Sequence, residues 1–219
     1  MCCPPQAGSR LEELSAEERE ALLADFRHHR YPSSSLVSLP RDPDNRVLVV
    51  QSGRLRVFMG SDDRELTLAY LEPGDVFSTH TPAFLQAERE SQILVAKTED
   101  LRYRLVTHPT FSSVMIRVLA DLLERSLCLI EDLAFRDVGQ RLAHCLLGMV
   151  ERRGWRQGED WCVALDLTTE DLARLLGSTR QTVSTQLNQL ARDGVLTRER
   201  DGLLRIHDLE ALRQYADTP

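Results

Sequence analysis

The sequence predicts an α+β protein in three consecutive parts: a strand-rich half, one long helix, and a compact helical unit ending in a strand hairpin. Three observations predict it. From Leu36 to about Lys97, short alternating runs are broken by turn residues, the pattern of a small barrel or sandwich. From Thr110 to Phe135 an apolar helical pattern runs without a Gly or Pro. Beyond it, two helical patterns joined by a glycine lead into a final hairpin pattern. The predicted boundaries are 1–109, 110–136 and 137–219.

The elements follow in order. In residues 11–30 the apolar positions are Leu11, Leu14, Leu22, Leu23 and Phe26, and Ser15 with Glu18 forms a capping-box signature. This predicts one or two short helices, with His28 and His29 at a polar C-terminal end that suits cations. "RVLVVQSGRLRVFMG" alternates on both sides of Ser52-Gly53, a hairpin signal. "RELTLAYL" and "ESQILVAKT" add strands, with turns at "SDD" and "EPGD". The long helix carries two apolar stripes, Ile116-Leu119-Leu123-Leu127-Ile130 and Phe111-Met115-Val118-Leu122-Leu129. A helix apolar on two faces needs two partners; the barrel covers one, and a symmetry-related helix covers the other in a coiled-coil-like seam. A hinge falls near Arg136–Asp137, then an amphipathic helix, then a loop marked by Gly154, Gly158 and two Trp.

"LTTEDLARLLGSTRQTVSTQLNQLARDGVLTRERDGLLRI" is the most specific local signal. Thr168 caps a first helix whose apolar face is Leu172, Ala173, Leu175 and Leu176; Gly177 breaks it. Ser178 and Gln181 then read as a second capping box, and Val183, Leu187 and Leu190 point inward along a helix reaching about Arg192. Arg180, Gln181, Ser184, Thr185 and Asn188 point outward. Two helices joined by a short glycine-containing turn make a helix-turn-helix, whose second helix reads base edges in double-stranded DNA. Arg matches guanine and Gln matches adenine, while Thr168 and Thr182 suit phosphates. "VLTRE" and "LLRI" form a wing.

Bulk properties agree. At 219 residues, 42% hydrophobic and 28% charged, the chain reads as a soluble globular protein. No apolar run approaches the ~20 residues of a membrane span, and "MCCPPQAGSR" is not a signal peptide, so a cytoplasmic location is expected. The net charge is −7, yet Gly177–Arg205 holds five Arg against three acids, a local basic patch compatible with DNA. The five cysteines are Cys2, Cys3, Cys128, Cys145 and Cys162, with no C-x-x-C spacing; neither a disulfide framework nor a four-thiolate cluster is expected.

Barrel, long helix and winged helix-turn-helix, in that order, resemble the cyclic-AMP receptor/FNR superfamily of bacterial transcription factors. "GRLRVFMG", "LEPGDVF", "VAKTEDL" and "GSTRQTVSTQLNQL" carry the resemblance, which covers nearly the whole chain. It implies an N-terminal cyclic-nucleotide-binding-like β-roll (a double-stranded β-helix), a long dimerisation helix and a C-terminal winged helix-turn-helix. It also implies a homodimer on a palindromic operator, RNA polymerase as a partner, and no enzymatic activity.

The effector segment departs from the nucleotide-binding members. "STHTPAFLQAERES" has neither the Gly-Glu nor the Arg-Ser pair that cradles a cyclic phosphate; Arg89 lies between Glu88 and Glu90. A buried phosphate without its cradle is an uncompensated charge. A His in this stretch, together with "SLCLIEDLAFRDVGQRLA" and the recognition helix, is similar to the CooA-type CO-sensing haem branch. That resemblance implies one haem b per subunit, with His80 as an axial ligand and CO as effector. It implies that CO displaces an opposite, N-terminal ligand, for which the Cys2 amine, the Cys2 thiolate and the Cys3 thiolate are candidates. It places Ile116, Leu119 and Ala120 on the distal wall. Ser78 stands where the branch has a redox-active Cys, and Ala120 where it usually has Gly. Two other readings stay open. One is a regulator of the same fold without haem; the other is a cupin-like metal barrel, which needs several converging His where the strands offer only His80.

Overall fold

The fold is described from a computed structural model for residues 17, 23–61, 64–101, 109–199 and 202–217; within the long helix the side chains of 109–111, 114, 115, 117, 118, 121, 122 and 125 are not included. Cys2, Cys3 and the Ser15–Glu18 capping box lie outside the described residues. Packing divides the chain into two compact units, one ending at Glu124 and one starting from Arg125.

The first unit holds eight strands among the described residues: β1 (Arg27–Tyr31), β2 (Leu36–Ser38), β3 (Arg46–Ser52), β4 (Leu55–Ser61), β5 (Arg64–Leu71), β6 (Val76–Ser78), β7 (Phe84–Ala87) and β8 (Ser91–Lys97). They form two four-stranded antiparallel sheets, ordered β1-β8-β3-β6 and β2-β7-β4-β5. Leu48, Val50, Phe77 and Ile93 of one sheet pack against Leu55, Val57, Leu71 and Leu85 of the other. On the opposite face of the first sheet, Val47, Val49, Leu94 and Ala96 pack with Phe26 and Leu101. β3 is therefore buried on both faces, which is why "VLVV" reads as a continuous apolar run and not as an alternation.

Two expectations are corrected here. Ser52-Gly53 does not close a hairpin: β3 pairs with β8 and β6, while β4 pairs with β5 and β7, so the turn carries the chain from one sheet to the other. Local alternation marks two strands and a turn, but the pairing partners are distant in sequence. His28 and His29 do not end a helix; they lie in β1, opposite Leu94 and Ile93 of β8. Ladder pairing at a sheet edge outweighs the local helical pattern there.

The long helix, α1, runs from Pro109 to Phe135, about 40 Å. Ile116, Leu119, Leu123, Leu127 and Ile130 are each between 56% and 66% exposed. Arg136 closes its end through ion pairs to Glu131 (3.3 Å) and Asp132. Asp137 then caps α2 (Val138–Arg153) in a capping box with Gln140, so the expected hinge is a clean break between two helices.

In the second unit α3 (Thr169–Leu175) packs on α4 (Arg180–Arg192), and α2 packs on α4 and on α5 (Leu209–Asp217). Their core includes Leu142, Leu146, Leu172, Val183, Leu187, Leu204 and Leu212. The segment expected as a loop around Gly158 is instead a hairpin of β9 (Trp155–Gln157) and β10 (Asp160–Ala164). With β11 (Leu196–Arg198) and β12 (Leu203–Ile206) it forms a sheet ordered β11-β12-β10-β9, so the wing is backed by two further strands. No helix among the described residues is long and apolar enough to cross a membrane.

Gly53 sits at φ 88°, and a Cβ built there meets the Ser91 Oγ at 2.3 Å and the Glu90 carbonyl oxygen at 2.4 Å. Gly53→Ala is expected to destabilise the barrel by at least about 2 kcal/mol, combining left-handed backbone strain with the backbone clash. Chemical denaturation monitored by circular dichroism checks this.

Candidate sensing site and nucleic-acid interface

The turn after β6 presents His80. Its Nδ1 lies 2.8 Å from the Asn45 Oδ1. An amide oxygen only accepts, so Nδ1–H is the donor in this contact, and in the neutral ring Nε2 is then the nitrogen that carries the lone pair. Nε2 has no partner among the described residues, and the ring is exposed. The His80 amide donates to the Ser78 Oγ at 3.4 Å. A single oriented nitrogen could supply one ligand to a metal whose other donors come from a cofactor or another segment. Among the described residues no three His, Cys, Asp or Glu side chains converge on one point, as a side-chain-only metal site requires. Sequence reasoning missed Asn45. It lies 35 residues from His80, in the run Asp42-Pro43-Asp44-Asn45, whose composition marks a bend but not a distant contact.

Ile116, Leu119 and Ala120 share one exposed face of α1. They lie at i, i+3 and i+4 and so adjoin one another. No described contact joins them to His80. They continue into the exposed row that runs to Ile130.

The helix-turn-helix is built by its caps. The Thr168 hydroxyl accepts from the Asp171 amide at 3.1 Å, and the Asp171 carboxylate accepts from the Thr168 amide at 2.9 Å. α3 ends when Gly177 turns left-handed, at φ 60°, and the Ser178 amide donates back to the Ala173 carbonyl at 2.9 Å. This is a Schellman closure. It commits Ser178 to ending α3, so the cap of α4 is Thr179 and not the expected Ser178. The Thr179 hydroxyl accepts from the Thr182 amide at 3.2 Å. Gln181 takes no part in that cap.

Val183, Leu187 and Leu190 are buried as expected, and Arg180, Gln181, Ser184, Thr185 and Asn188 are exposed. The Thr168, Thr182 and Thr185 hydroxyls already bond to the Asp171 carboxylate, the Thr179 hydroxyl and the Gln181 carbonyl. The side chains of Arg180, Gln181, Ser184 and Asn188 have no hydrogen-bond partner among the described residues. Their donors and acceptors face outward, as base-edge readout needs.

A groove of about 650 Å³ adjoins this face, lined among others by Thr168, Thr169, Asp166, Glu170, Arg180 and Arg198. Its two carboxylates are engaged elsewhere, Asp166 by Arg153 (3.8 Å) and Glu170 by Arg174 (3.7 Å). Arg198, on the wing, donates to the Thr169 hydroxyl at 3.2 Å. The groove therefore shows two guanidinium groups that form no ion pair with any described residue. Arg198 was not singled out by sequence reasoning; its only sequence signal was its place in the predicted wing.

Comparison with known proteins agrees with this geometry. The model of the Crp-like helix-turn-helix domain matches residues 140–215. The CRP-like cAMP-activated global transcriptional regulator of Mycobacterium tuberculosis is 31% identical over 194 residues, covering 85% of this chain and 86% of that relative. The chain belongs to the CRP/FNR family of transcription regulators. As a member of the CRP/FNR family it is a DNA-binding regulator, with the helix-turn-helix as its DNA-binding part. A structure of a CooA mutant from Carboxydothermus hydrogenoformans is 38% identical, covers 97% of each chain and superposes with a TM-score of 0.90. The structure of the reduced CO-sensing protein from R. rubrum is 32% identical, covering 92% of this chain and 95% of that one, with a TM-score of 0.52.

Arg180→Ala is expected to lower affinity for an operator selected from random duplexes by about 1–3 kcal/mol, and to relax the preference at one base pair of each half-site. Fluorescence anisotropy against single-position operator variants measures both effects.

Proposed function

We propose that this chain is a haem-dependent, CO-sensing transcription regulator, most simply an activator, that acts in the cytoplasm as a homodimer on a palindromic operator and with RNA polymerase. The observation that carries the reading is His80, with Nδ1–H held by Asn45 and Nε2 without a partner among the described residues, in a chain 38% identical to a CooA over 97% of its length. His80 would hold a b-type haem from one side, one per subunit. Cys2, through its amine or thiolate, or the Cys3 thiolate would serve the other side. When bound, the haem iron supplies a ferrous centre with affinity for CO.

The protein's own contribution is orientation and transmission. Asn45 accepts from Nδ1–H and so orients the ring, which in its neutral form leaves Nε2 as the nitrogen able to ligate. Ile116, Leu119 and Ala120 present an apolar wall suited to an uncharged diatomic ligand. The same row of α1 is the dimer seam, so a change at the wall is a change in how two helices meet. The break at Arg136–Asp137 lets the winged units follow that shift. In the active arrangement two recognition helices stand one helical turn apart, ~34 Å, matching successive major grooves. Moving activity from about 1% to about 99% takes about 5.5 kcal/mol of differential affinity for the two states.

A nucleotide effector is the second reading, favoured by the Mycobacterium tuberculosis relative's description as cAMP-activated. Against it stands the segment after β6. Its one arginine, Arg89, is exposed and flanked by Glu88 and Glu90, and Glu90 is itself paired to Arg30 at 2.6 Å. Ser78 and Ala120 are this chain's departures from the CO-sensing branch. With Ser78, a thiolate switch at that position on oxidation is not expected.

Haem-supplemented, dithionite-reduced protein is expected to show a sharp six-coordinate Soret band that shifts on CO addition. His80→Ala is expected to lose that band, by absorption spectroscopy at equal protein concentration. A wild-type chain that takes up no haem would remove this reading and favour the nucleotide one.

A further inference from the structure

We propose that Thr79 is a positioning residue for His80: its hydroxyl locks the backbone on both sides of Asn45, so that the Asn45 amide oxygen is fixed where it selects the Nδ1–H tautomer of the ring. This rests on the assignment of His80 as the ligand-bearing histidine.

Asn45 is the last residue before β3, directly after the bend at Pro43–Asp44. A turn side chain has no reason of its own to hold one geometry. Thr79 supplies it. The Thr79 side chain is buried, 4% exposed, although its neighbour His80 is exposed. Its Oγ1 accepts from the Arg46 amide at 3.0 Å, and its one proton lies between two acceptors, the Asp44 carbonyl at 3.3 Å and the Arg46 carbonyl at 3.4 Å. Its own amide donates to the Arg46 carbonyl at 2.9 Å. One residue thus ties the peptide groups before and after Asn45 to the chain position adjacent to the imidazole. Both ends of the 2.8 Å Asn45–His80 bond are referred to the same point.

The rest of the turn is braced in the same sense. The Thr98 amide donates to the Asn45 carbonyl at 2.9 Å, and the Asp44 amide donates to the Asp42 carboxylate at 3.1 Å. Arg46 pairs with Asp42 at 3.2 Å and with Asp44 at 3.7 Å. These contacts hold the loop as a whole; among the described residues, its hydrogen bonds to the chain beside the histidine are those of Thr79. A hydroxyl that both accepts and donates is required, since valine of the same shape can do neither and alanine adds a void. A residue supporting the group that orients a ligating imidazole has leverage on ligation, because which ring nitrogen is free is set by the bond the other makes.

The test uses the full-length chain with 15N-labelled histidine, observed by NMR without haem near pH 8, the His80 signals being assigned by their loss in His80→Ala. Wild type is expected to show one dominant His80 tautomer, with protonated Nδ1. Thr79→Val and Asn45→Ala are expected to shift both ring-nitrogen signals toward tautomer-averaged positions. The double variant should add nothing further, and Thr79→Ser should restore the wild-type spectrum. The other five histidines report that the fold is intact. If Thr79→Val fails to fold, Thr79→Ala carries the same comparison. Unchanged His80 signals in folded Thr79→Val or Thr79→Ala, with shifted signals in Asn45→Ala, would overturn the proposal. On haem-loaded protein, the Fe–C stretching frequency of the CO complex is expected to move in Thr79→Val and to return in Thr79→Ser. Normal tautomer behaviour in a wild-type chain that takes up no haem would contradict the haem reading alone.

Discussion

The exposed row Ile116, Leu119, Leu123, Leu127 and Ile130 is the constraint on which the rest depends. Burying a Leu or Ile side chain from water is worth about 1.5–3 kcal/mol, and five in register on one helix form a contiguous apolar patch that marks an interaction surface. Their spacing follows the seam of a two-stranded coiled coil, with Ile116, Leu123 and Ile130 at intervals of seven. In the proposed dimer a second copy of the chain would present the same seam in return, and a two-fold axis along it is also what a palindromic operator would demand. The helix is therefore one object with two duties in the proposed dimer: it joins the subunits and forms the wall beside the effector. Coupling between sensing and DNA binding then needs no long chain of residues, only two ways of packing one seam.

At the proposed sensing end the chemistry comes down to one nitrogen. Asn45 accepts from the His80 Nδ1–H, and Nε2 has no partner among the described residues. At the DNA end the logic is similar. Threonine hydroxyls are used on caps and backbone, while Arg180, Gln181, Ser184 and Asn188 are left without partners among the described residues. The acids in the groove beside them are held by Arg153 and Arg174, so a net acidic chain still offers a basic, unpaired face where a polyanion docks.

How legible each part was follows from the range of the interactions. The helix-turn-helix could be read almost residue by residue, because caps, glycine turn and inward positions are local. The one error there, Ser178 for Thr179, arose because ending α3 consumed the Ser178 amide through a bond five residues back. The long helix and its break at Arg136–Asp137 were equally plain, since a helix pattern and its cap need no distant partner. The barrel was legible only as strands. Ser52-Gly53 reads as a hairpin locally, yet β3 and β4 find partners as far away as β8 and β7 and lie in different sheets. His28 and His29 were drawn from a helical pattern into β1 by the same kind of distant pairing. Asn45 was invisible because its meaning lies in a contact across 35 residues.

The central claim is that an event at His80 governs DNA binding through the α1 seam. The most direct measurement is the affinity of reduced, haem-loaded protein for its selected palindrome, with and without CO, at one fixed salt concentration. The account predicts that CO tightens specific binding by at least about a hundredfold, within the ~10⁴-fold range of a full population shift. Equal affinities with and without CO, in protein whose spectrum shows the gas bound, would contradict it.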